Sequence, residues 1–79
     1  MWYVYLLRDT AGKPYLGYTN DLRRRLAEHQ RKRRECMLVY YEAYGTADIA
    51  RVRERMLKQY GGAWRSLRKR LREGGVKIF

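Results

Sequence analysis

Seventy-nine residues allow one domain with a modest core, near the small end of what folds unaided. Nineteen Lys and Arg against eight Asp and Glu leave a formal charge of +11, a self-repelling balance that points to a polyanionic partner, nucleic acid first. A single cysteine, Cys36, and a single histidine, His29, exclude an internal disulfide and a structural zinc site, and the lone serine, Ser66, argues against a serine triad.

The chain opens on WYVYLL, an apolar run of six residues, far short of the roughly 20 that span a bilayer. It carries neither the basic lead nor the small-residue cleavage site of a signal peptide, so the expectation is a cytoplasmic protein with no membrane partner. Residues 2–8 read as a strand, 9–13 as a turn and 14–19 as a second strand, with Pro14 tolerated at the strand's first position. Thr19 or Asn20 can cap a helix whose first turn holds Asp21 and which runs through Leu22, Leu26 and His29 into the basic run Arg31, Lys32, Arg33 and Arg34. MLVYYEAY at 37–44 is a third strand. Thr46 caps a helix from about Ala47 to Tyr60, with Ile49, Val52, Met56 and Tyr60 as its apolar stripe. Gly61 and Gly62 end that helix; Trp64, Leu67 and Leu71 mark a last short one, closed by Gly74 and Gly75 before the tail VKIF. The order is ββαβαα, a small α+β domain with a three-stranded antiparallel sheet flanked by helices, covering residues 1–79 without repeats or linkers.

Eight tyrosines in so short a chain call for an explanation beyond strand propensity. Closing the hairpin around Ala11 sets Tyr5 opposite Gly17, with Tyr15 a diagonal step away at about 7–8 Å, so a shallow pit over the glycine would expose a phenol. On the next helix, a wheel of about 100° per residue puts Leu22, Leu26 and His29 together, with Arg25 at the edge of the same face and Arg23 and Arg24 turned away. An arginine aimed at a sheet meets an anion or is costly to desolvate. On the second helix Glu54 borders the apolar stripe, with Lys58 one turn on as a natural partner. Each of these residues has an ordinary structural explanation alone: a snorkelling arginine, a half-core histidine, a surface ion pair. Their combination points to a site.

Tyr3-Val4-Tyr5, Tyr15-Leu16-Gly17, Arg25 eight residues after that glycine, His29 one turn later and Glu54 downstream, in this order, resemble the GIY-YIG nuclease superfamily. The likeness is closest to its small single-domain members and to the nuclease module of the excision-repair endonuclease. The resemblance implies a metal-dependent endonuclease acting on DNA, structure-dependent or weakly sequence-selective, with DNA favoured over RNA as partner and a link to DNA repair. It assigns Tyr5, Tyr15, Arg25, His29 and Glu54 to catalysis and Gly17 to the structural motif. By the same resemblance Glu54 is expected to hold the metal, Mg²⁺ or Mn²⁺, an ion that suits a single carboxylate because it keeps most of its waters. A free phenol titrates near 10, too high for a base at neutral pH, and a cationic surround favours its ionised form; that is a reason for phenols in so basic a chain. Arg24, Arg31, Lys32, Arg33, Arg34, Arg65, Arg68 and Lys69 are the expected contacts to backbone phosphates, which give affinity without sequence readout. A homodimer is one assembly left open.

The chain departs from the family pattern at Tyr3, where the motif has glycine, in the short run QRKRREC before the third strand, and in having no asparagine after Glu54; the only one is Asn20. The competing readings are a non-catalytic nucleic-acid-binding module that keeps the nuclease fold, and a basic RNA-associated protein whose tyrosines stack on bases.

Overall fold

The first two strands meet through a turn that only a glycine completes easily. Gly12 takes φ +84, its amide donates to the Asp9 carbonyl at 3.0 Å, and the Lys13 amide donates to Asp9 Oδ1 at 2.8 Å. In the computed structural model, which describes residues 1–32 and 35–76, the strands are β1 (Trp2–Arg8), β2 (Pro14–Thr19) and β3 (Met37–Tyr44). The helices are α1 (Leu22–Lys32), α2 (Ala47–Gln59) and α3 (Gly61–Glu73). The sheet is three-stranded and antiparallel, as expected, and its strand order is β2-β1-β3. No described helix is long and apolar enough to cross a membrane.

β1 is central because it is apolar on both faces. Val4 and Leu6 point into a core with Ala50, Leu57, Leu67 and Leu71, which places α2 and α3 on that side. Tyr5 and Leu7 point the other way, into a smaller cluster with Cys36 that Leu22 and Leu26 of α1 help cover. The result is three layers, with a thin helical cover over one face and a thicker one over the other. Between Leu6 and Leu7 the pairing with β3 slips by one residue, so Val39 is the extra residue of a bulge.

Three expectations change. The cap of α1 is Asp21 rather than Thr19 or Asn20: its Oδ1 accepts from the Arg24 amide at 3.0 Å, while the Thr19 hydroxyl accepts from the Asp21 amide at 3.1 Å. The stripe Ile49, Val52, Met56 and Tyr60 is the exposed side of α2, at 39–60% accessibility; Ala50 and Leu57 are the buried residues, because a small residue at 50 lets the helix approach the sheet. Gly61 and Gly62 begin α3 instead of ending α2 in a loop. The break is one residue, Tyr60, in extended conformation, and the glycines fill a first turn whose amides need no intrahelical partner. Arg33, Arg34 and residues 77–79 of the tail lie outside the described residues.

The α2–α3 face also carries a polar cluster. Tyr40, Glu42 and Tyr44 alternate along β3 on that face, and Glu42 takes hydrogen bonds from both tyrosine hydroxyls at 2.6 Å and from Arg53 of α2 at 2.8 and 3.0 Å. Arg70 of α3 donates to the Tyr40 hydroxyl at 3.0 Å, so one carboxylate ties the edge strand to both helices. Burial alone would raise the Glu42 pKa, but the hydrogen bonds from Arg53, Tyr40 and Tyr44 outweigh it and hold the group at about 2; Tyr44 is pushed up to about 12 by burial and by the carboxylate beside it. A carboxyl lowered from 4.5 to about 2 contributes stability above pH 4.5 and loses it as pH falls toward 2. Glu42→Gln is therefore expected to cost about 2–3 kcal/mol at pH 7 and much less at pH 2, measured as urea midpoints at both pH values. An equal loss at both would remove the ionised carboxylate from the explanation.

Candidate functional site

Tyr5 pairs with Gly17 across the sheet, the register the hairpin length implies, and the glycine is required by the phenol. A Cβ at position 17 would stand 2.6 Å from Cζ of the Tyr5 ring, closer than real Cβ atoms come. The expected pit over Gly17 is thus filled by the ring itself, and Tyr5 is only 3% exposed. What the glycine supplies is a bed in which the phenol lies flat enough for its hydroxyl to reach α1.

Among the described residues, two side chains meet that hydroxyl. Arg25 Nε donates to it at 3.2 Å, and His29 Nε2 lies 3.1 Å away, one helical turn further along α1. The rings of Tyr5 and His29 stand edge to face with centroids 5.8 Å apart. Arg25 is at the edge of the buried face, as the wheel places it; its side chain is half exposed, and its Nη1 donates to Glu28 Oε2 at 3.0 Å. The hydrogen bonds to Tyr5 and then to Glu28 raise its pKa, so it is a fixed cation in contact with a phenol oxygen. Beside it opens a pocket of about 80 Å³ lined by Arg25, Glu28, His29 and Lys32, a polar recess that shares Arg25 and His29 with the phenol hydroxyl.

Tyr15 belongs to the same face, its ring centroid 6.5 Å from that of His29, but its hydroxyl donates to Asp9 Oδ2 at 3.3 Å in the hairpin turn. Of the expected site residues, the described contacts join Tyr5, Arg25, His29 and the Tyr15 ring. Glu54 stands on α2, the helix packed on the opposite face of the sheet, and its carboxylate accepts from Lys58 Nζ at 2.7 Å with the side chain 15% exposed.

Among the described residues no three of His, Cys, Asp and Glu gather as a metal cluster. A hard cation that brings its own waters and takes an oxygen from a phosphate is compatible with the single Glu54 carboxylate. Glu28 is the site residue that sequence reasoning missed. It also lies 3.6 Å from Arg24 Nε, so it faces two arginines at spacings of three and four residues, a signal present in the sequence.

The basic side chains fall on two layers. Arg24, Arg31 and Lys32 are exposed on α1, above the Tyr5 face; Arg65 and Lys69 are exposed, and Arg68 half-buried, on α3 across the sheet.

Over residues 1–69 the sequence matches the model of the GIY-YIG catalytic domain. It is 37% identical to a UPF0213 protein of Yersinia enterocolitica, over 75% of this chain and 69% of that protein. A UPF0213 protein of Haloquadratum walsbyi is 33% identical over 96% of this chain and 91% of its own length, and one of Yersinia pestis is 37% identical over 75% and 70%. No solved structure matches the chain.

Proposed function

The chain belongs to the GIY-YIG family, and from that premise we propose that it is a metal-dependent endonuclease that hydrolyses phosphodiester bonds in DNA, selecting structure more than sequence. One observation carries the reading: a buried phenol, bedded on Gly17, has its hydroxyl held between a permanent cation and an imidazole nitrogen.

Hydrolysis needs a base for the attacking water, charge stabilisation at the phosphate and help for the departing oxygen. Arg25 donates to the Tyr5 oxygen and so stabilises negative charge there, while His29 Nε2, when unprotonated, accepts the phenol's proton. Tyr5 takes a proton from the water in the same relay in which its own phenolic proton passes to His29, so one proton in all ends on the imidazole. The Nη groups of Arg25 would clamp the scissile phosphate, which takes the place that Glu28 holds in the free protein. Lys32 adds a second cation at the pocket rim. Tyr15, anchored to Asp9, fixes the side of the imidazole rather than the water. In place of Lys58, Glu54 would hold a Mg²⁺ or Mn²⁺, an ion whose chemistry is charge neutralisation at a phosphate; its layer, opposite Arg25, is what the Glu54→Ala variant tests.

The non-catalytic module remains the second reading because Glu54 is engaged by Lys58 and sits on the other layer. Cleavage of single-stranded, branched and duplex DNA, and of RNA, with Mg²⁺, Mn²⁺ or EDTA separates the two. The expected result is metal-dependent cutting of DNA that EDTA stops, together with binding that weakens steeply as salt rises. Salt-sensitive binding without cutting of any substrate in either metal would leave the module and defeat the nuclease.

A further inference from the structure

α1 covers only part of its face of the sheet. Its leucines pack over the end that holds Leu7, Leu38 and Cys36, and the other end is open. There Tyr41 of β3 is the register partner of Tyr5, yet it is 52% exposed where Tyr5 is 3%. Tyr3, two residues back along β1, sets its ring against Tyr41 edge to face with centroids 5.8 Å apart, and the exposed Ala43 pairs with Tyr3. The open end of this face is therefore an aromatic floor with a small residue beside it. Tyr41 lies one strand from the Tyr5 backbone, at a spacing of roughly 4.8 Å between strands, while the phenol ring leans the other way over Gly17.

We propose that Tyr41, braced by Tyr3, is a stacking platform for an unpaired nucleobase next to the phosphate held at Arg25. The inference rests on the nuclease reading for its phosphate and goes beyond it by naming the substrate class: DNA with an unpaired nucleotide at the site, as in a single strand, a flap or a frayed end. The Tyr5 hydroxyl leans over β2 toward α1 and Tyr41 stands on β3, so a nucleotide whose phosphate meets Arg25 reaches the Tyr41 ring by extending its base across β1. A base within a duplex has its faces covered by its neighbours and cannot use the ring, whereas an unpaired base presents a free face. The brace matters: an edge-to-face neighbour holds the Tyr41 ring in place, so less rotamer freedom is lost on stacking.

The test is equilibrium binding in EDTA, where cleavage plays no part. The probes are a short single-stranded oligodeoxynucleotide carrying one 2-aminopurine and a blunt duplex of the same sequence. Tyr41→Thr keeps a strand-forming residue and removes the ring; Tyr41→Phe keeps the ring. The expected result is a loss of about 5- to 100-fold in single-strand affinity for Tyr41→Thr, with duplex affinity within about 2-fold and Tyr41→Phe close to the parent. The 2-aminopurine emission should be quenched by the parent and by Tyr41→Phe, and not by Tyr41→Thr. Equal losses on both probes, or no loss on the single strand, would overturn the platform. A protein that cuts DNA but fails this test keeps its nuclease reading and loses the platform; one that passes it and cuts nothing keeps the platform as part of a binding module.

Discussion

Tyr5→Phe is expected to lower single-turnover cleavage by about 10²–10⁴-fold and to leave nucleic-acid affinity and folding nearly unchanged. The ring contributes the packing: it fills the bed over Gly17 and belongs to the cluster with Leu7 and Cys36, all of which phenylalanine retains. Only the oxygen is lost, and with it the acceptor for Arg25 Nε and the partner of His29 Nε2. Arg25 is half exposed and also bound to Glu28, so water can satisfy the freed N–H and the cost in stability should stay near 1 kcal/mol. Affinity should hold because the phosphate contacts come from arginine and lysine. A large rate effect with constant affinity marks a group that acts in the transition state. Undiminished cleavage by Tyr5→Phe would transfer the base role to another group, with His29 first in line.

Much of this site is legible in the sequence because it depends on short-range geometry. The loop length fixes the hairpin register, the register puts Tyr5 on Gly17, and helical spacing puts Arg25 and His29 on the side of α1 that faces them. What the glycine does there is not legible, since a pit and a bed give the same letter. The hydroxyl of Tyr15 departs from expectation for a similar reason: its strand position follows from the pattern, but the turn carboxylate of Asp9 captures it.

The second helix is harder because both of its faces read as apolar. Counting large residues selects Ile49, Val52, Met56 and Tyr60, and those are the exposed ones. The buried side instead combines Ala50 and Leu57 with Arg53 and Glu54, two charged residues admitted because each has a partner, Glu42 and Lys58. The alternation Tyr40, Glu42, Tyr44 on one strand face is the clue: an acid between tyrosines on a core-facing position requires a cation, and Arg53 is that cation. Pairing the two orients α2.

That orientation bears on Glu54, the carboxylate proposed to hold the metal. Glu54→Ala is expected to abolish metal-dependent cleavage while leaving nucleic-acid binding intact or slightly tighter, because one negative charge is removed from a chain of net +11. The fold should tolerate the change: alanine is the better helix former, and an i,i+4 pair with Lys58 contributes only about 0.5 kcal/mol. Because Lys58 occupies the carboxylate at 2.7 Å, it competes with any cation, and Lys58→Ala should tighten Mn²⁺ binding where Glu54→Ala weakens it. Titration of Mn²⁺ by electron paramagnetic resonance reads both effects without any substrate. Opposite shifts in the two variants, with cleavage lost in Glu54→Ala, would tie the carboxylate on the far layer to the chemistry of the Tyr5 face. Full cleavage by Glu54→Ala would break that tie and leave Tyr5, Arg25 and His29 to act without it.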